Sequence, residues 1–90
     1  MSEARFKFSS LRRMLLDLGF KEVPVSKPHM GFRHDASSLL IALPPYRSHG
    51  VVAPHHLAYV RTMLDGNGLL DADEFNRMVA NGLTRHSASN

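Results

Sequence analysis

Residues 19–43, GFKEVPVSKPHMGFRHDASSLLIAL, constrain the fold more than any other stretch of the chain. They hold three runs with strand character separated by very short turns. Val23 and Val25 alternate with polar neighbours in KEVPVS (21–26), MGFRH (30–34) alternates again, and SLLIAL (38–43) is almost continuously apolar. Parallel neighbours would need a crossover of about a dozen residues or more. Lys27-Pro28 and Asp35-Ala36-Ser37 leave no room for one. An antiparallel meander is the arrangement that remains. Pro24 has no amide hydrogen for a ladder, so the first strand is expected at an edge or a bulge. The third strand, the least polar, is expected to be the most buried.

Helical patterns flank this core. Leu11, Met14, Leu15 and Leu18 share one face of a helix for which Ser9 or Ser10 is the candidate N-cap and Gly19 the stop. Pro44 and Pro45 end the third strand, and Pro54 suits the first position of a second helix. Val60 and Leu64 mark that helix's inner face, with His56 or Leu57 and with Met63 beside them. Gly66-Asn67-Gly68 breaks it. Asp71, followed three residues later by Glu74, reads as a capping box for a third helix carrying Phe75, Met78 and Val79. The expected class is α+β, ordered α-β-β-β-α, with a three-stranded antiparallel sheet packed by helices on one face and a short C-terminal helix. Residues 1–82 are expected to form one domain and 83–90 a flexible polar tail.

Composition narrows the chemistry. The 90 residues include no cysteine, which removes disulfides and thiolate metal sites and suits a cytoplasmic protein. No run approaches the roughly 20 apolar residues of a membrane span. The first residues lack the apolar core and cleavage site of a signal peptide. The net charge of +3 is unevenly spread, with Arg5, Lys7, Arg12, Arg13, Lys21, Lys27 and Arg33 early and Asp65, Asp71, Asp73 and Glu74 late. Such a first half suits a polyanion, nucleic acid above all, although each cation taken singly also fits a solvated face.

No metal or cofactor is expected. His55 and His56 are adjacent and point to different sides of a helix, and no carboxylate set completes a zinc site with His49. Residues 63–74 have calcium-loop spacing at Asp65, Asn67, Gly68 and Glu74, but Met63 stands where the first ligand belongs. Ser48-His49 is only a pair of sequence neighbours, and no phosphate-binding glycine loop occurs. His29, at the start of the middle strand, reads either as a general base beside a nucleic acid or as an ordinary surface residue.

The element order and several short motifs resemble the HicA toxin family, also called YcfA-like. Gly19-Phe20 after the first helix, Phe32-Arg33-His34 at the end of the middle strand, Leu43-Pro44 after the third, and Met63-Leu64 with residues 68–75 correspond to the family's landmarks. The resemblance spans about residues 11–75. Counting back from Phe32, His29 falls on the family's catalytic histidine. Lys27-Pro28 stand where the family keeps Gly-Ser, and Met30 where a second histidine is common.

The resemblance implies a double-stranded-RNA-binding-domain-like fold. It also implies metal-independent cleavage of messenger RNA and a cognate antitoxin that covers the active face. On this reading His29 activates a 2′-hydroxyl, and Lys27 and Arg33 place positive charge at the phosphate. Lys7, Arg12 and Arg13 would contact the backbone of RNA. The alternative is a non-catalytic RNA- or protein-binding module that kept the fold and lost the catalytic turn, which the Lys27-Pro28 exchange favours.

Overall fold

Helix α1 (Phe8–Asp17) turns Leu11, Met14 and Leu15 inward, each essentially without solvent exposure, and leaves Arg12, Arg13 and Asp17 outside. This computed structural model describes residues 6–26 and 28–81. Gly19 ends the turn after α1 with a φ of +104°, a conformation that costs an L side chain dearly. The chain then runs through β1 (Phe20–Val23), β2 (Met30–His34) and β3 (Leu39–Leu43) before α2 (Pro54–Gly66) and α3 (Ala72–Ala80).

The sheet is an antiparallel meander in the order β1-β2-β3. Phe20 faces His34 across the first pair, and Phe32 faces Ile41 across the second. Side chains alternate across a strand, so Phe20, Phe32, Ile41 and Leu43 share the face that meets the helices. There they join Leu11, Met14, Leu15, Val60, Leu64 and Phe75 in one buried cluster. Full burial of each such side chain is worth about 1.5–3 kcal/mol. The helices thus lie on one side of the sheet, as an α+β fold of this order requires.

The structure departs from the sequence pattern in four places, each for a local reason. The first strand stops at Val23, because Pro24 cannot extend the ladder. Neither serine caps α1. Lys7 is the N-cap and offers no side-chain bond, while the Phe8 and Ser9 amides donate to the Gly50 and Ser48 carbonyls at 2.8 and 2.9 Å. Loop carbonyls thereby do the work expected of a hydroxyl. The third strand is an edge strand rather than the most buried one, and Leu40 remains 44% exposed on the uncovered face. Asp71 does cap α3, accepting from the Asp73 amide, but Glu74 turns to Arg77 instead of back to the cap. The expected tail, 83–90, lies outside the described residues.

Candidate nucleic-acid interface

The face of the sheet turned away from the helices carries Lys21, Val23, Gly31, Arg33, Leu40 and Ala42. After Pro24 the chain folds back so that Val25 lies over Gly31. A Cβ added at Gly31 would come within 2.5 Å of Val25 Cγ1 and 3.2 Å of the Val23 carbonyl oxygen. Only glycine accepts that approach. A shallow depression of about 530 Å³ results, lined by Val23, Pro24, Val25, Arg33, Ser38 and Leu40.

Charge on this face is partly cancelled, the two cations Lys21 and Arg33 sharing one carboxylate. Lys21 Nζ lies 2.9 Å from Asp35 Oδ2, and Arg33 Nε lies 3.7 Å from Asp35 Oδ1. Hydrogen bonding from the Lys21 ammonium, aided by its charge and that of Arg33, holds the Asp35 carboxyl below its ordinary range. Arg33 leans toward the β2–β3 hairpin, away from the end of the strand at which His29 lies.

His29 immediately precedes β2 and is exposed. Its amide donates to the Ser26 carbonyl at 3.0 Å, closing the turn that leads into the strand. Its imidazole makes no hydrogen bond or ion pair among the described residues. Four residues of strand, about 13 Å, separate it from Arg33. Lys27 lies outside the described residues. The turn therefore presents a solvent-facing imidazole at one end of β2, with the ion-paired arginine at the other.

The remaining sequence candidates sit in the helical layer. Arg12 donates from Nε to Glu22 Oε1 at 3.1 Å, tying α1 to β1. Arg13 and Lys7 are exposed and make no ion pair among the described residues. Lys7 pairs with Val51 in an isolated antiparallel bridge. The described candidates thus divide between two surfaces: His29 and Arg33 along the open sheet side, Lys7, Arg12 and Arg13 along α1.

Tyr46 and Arg47, which the sequence pattern did not single out, matter here together with His56 and His34. Tyr46 stacks on the buried Phe8 with ring centroids 5.6 Å apart and planes 10° from parallel. The Ala53 amide donates to Tyr46 Oη at 2.8 Å, and that hydroxyl lies 2.6 Å from His56 Nδ1. The arrangement that uses every donor has the hydroxyl donating to a neutral imidazole. Burial first, and then the neighbouring His55, lower the His56 pKa from its ordinary value. This network pins the 44–53 loop to the start of α2. Arg47, at the outer side of the same loop, is exposed. His34 is a hairpin residue, with Nδ1 2.9 Å from Ser37 Oγ and its ring 5.2 Å from that of Phe20.

No protein-family model, curated protein or solved structure matches this chain. Among the described residues, no group of three or more histidines and carboxylates is placed to hold a metal ion. No described helix is long and apolar enough to cross a membrane.

Proposed function

We propose that this protein is a HicA-like toxin that binds RNA and cleaves it without a metal, with His29 as the general base. The observation that carries this reading is the position of His29. It stands solvent-facing at the head of the central strand of a helix–meander–helix domain, where a bound RNA strand can reach it. Its imidazole can accept the proton of a 2′-hydroxyl as that oxygen bonds to the adjacent phosphorus, while the P–O5′ bond breaks and the departing 5′-oxygen takes a proton from water. Lys27, two residues earlier, supplies positive charge for the phosphate. A cognate antitoxin would neutralise the protein by covering this face.

One observation favours a second reading, a binding module that kept the fold without the chemistry. No described side chain orients the His29 ring, whereas an efficient base is normally held by a partner. Pro28 also removes a backbone donor from the turn.

Controlled expression of the full chain in a bacterial host separates the two. The enzyme reading expects growth arrest with accelerated decay of messenger RNA for the natural chain, and neither for His29→Ala. A natural chain that leaves growth and RNA lifetimes unchanged eliminates the enzyme reading and leaves the binding module.

A further inference from the structure

The described basic residues differ in their partners. Arg12, Lys21, Arg33 and Arg77 are each held by a carboxylate, and Arg61 donates to Asn76. Lys7, Arg13 and Arg47 are exposed and have no carboxylate partner among the described residues.

The segments that carry these three, the start of α1 and the 46–51 loop, are joined by backbone hydrogen bonds although they are remote in sequence. The Ser9 amide donates to the Ser48 carbonyl at 2.9 Å, and the Phe8 amide donates to the Gly50 carbonyl at 2.8 Å. Together with the Lys7–Val51 bridge, these bonds seat the start of α1 against the 46–51 loop. The Gly50 amide closes that loop on the Arg47 carbonyl at 2.9 Å, keeping Arg47 beside the joint. Arg13 lies one turn along α1 from Ser9, about 6 Å of rise, on the same side of the helix. No acidic residue occurs between Lys7 and Arg13 or between Pro44 and Ala53.

The joint is also firm. Phe8 is buried, Tyr46 stacks on it, and the Tyr46 hydroxyl is bonded to the loop end and to His56. Cations with no carboxylate partner among the described residues gain counterion-release energy from a polyanion without first breaking an ion pair to one of those residues.

We propose that the joint between α1 and the 46–51 loop, with Lys7, Arg13 and Arg47, is the edge that grips the phosphate backbone of RNA. Arg12, by contrast, ties α1 to β1 through Glu22, and Arg33 pairs with Asp35 within the β2–β3 hairpin. The inference rests on the RNA-binding reading above and assigns its docking edge. It introduces Arg47 as a contact and gives the helix-side cations unequal roles.

The test is titration of the purified full chain with a fluorescent 16-base-pair RNA duplex over a range of salt concentrations, read by anisotropy. Compared are the natural protein, Lys7→Gln/Arg13→Gln/Arg47→Gln, each single variant, and Arg61→Gln/Arg77→Gln as a charge-loss control. Matched urea midpoints establish that all variants are folded. The expected result is a triple variant weakened more than tenfold at low salt, with the log–log salt slope reduced by about 2–3. Each single variant should lower the slope by about 1, and the control should stay within about threefold of the natural protein. A triple variant that binds like the natural protein, or a control that loses as much, overturns the assignment while RNA binding stands. Failure of the natural protein itself to bind RNA at low salt overturns the RNA-binding reading instead.

Discussion

His29 and His56 occupy opposite chemical situations within one small domain. His56 is half-buried, bonded to Tyr46, and held below its ordinary pKa by burial and by His55. His29 stands in solvent with no described side chain attached to it. The first imidazole is committed to architecture, and the second has no side-chain partner among the described residues. A residue that contributes little to stability yet sits at the head of the central strand is where a functional role would be found. The same contrast separates the ion-paired Arg12, Lys21 and Arg33 from the cations at the α1 joint that have no carboxylate partner among the described residues.

The largest expected difference lies in stability. Tyr46→Ala removes a ring stacked on the core and leaves the Ala53 amide and His56 without their partner. It should lower the unfolding free energy by about 3 kcal/mol. His29→Ala should change it by less than about 0.5 kcal/mol. Urea unfolding measures both, and equal costs would erase the distinction between the two histidines.

A smaller effect concerns pH. Because the folded-state pKa of His56 is lowered, the unfolded chain takes up protons first as pH falls below about 6.5. The stability that neutral His56 contributes is therefore fully present above that pH and is lost as pH falls through the folded-state value. His56→Gln removes this dependence. The difference in urea midpoint between the natural protein and His56→Gln should narrow on going from pH 7.5 to 5.5. A difference that widens over this range would mean that the folded state favours the charged imidazole.

Much of the fold was legible because its signals are local. Gly19, Pro54 and Asp71 punctuate the chain where short-range backbone chemistry demands it, and the turns are too short for anything but a meander. What was not legible depends on partners distant in sequence. Ser9 and Ser10 resemble caps, but carbonyls some forty residues later meet the α1 amides. The third strand reads as buried from its composition, yet it lies at an edge of the sheet and Leu40 is exposed on the face without helices. The candidate site divides in the same way. The exposure of His29 follows from the turn before β2. The pairing of Arg12 with Glu22, and of both Arg33 and Lys21 with the single carboxylate of Asp35, follows from sheet geometry. The sequence does not place Arg47 with Lys7 and Arg13, because the backbone bonds that join their segments are long-range.

The most direct test is incubation of the purified full chain with a messenger RNA in the presence of a strong chelator, followed by analysis of the fragment ends. Attack by the 2′-hydroxyl predicts fragments ending in a 2′,3′-cyclic phosphate, with His29→Ala slowing their appearance about a hundredfold or more. Intact RNA, or fragments produced equally fast by His29→Ala, would contradict the assignment of His29 as the base.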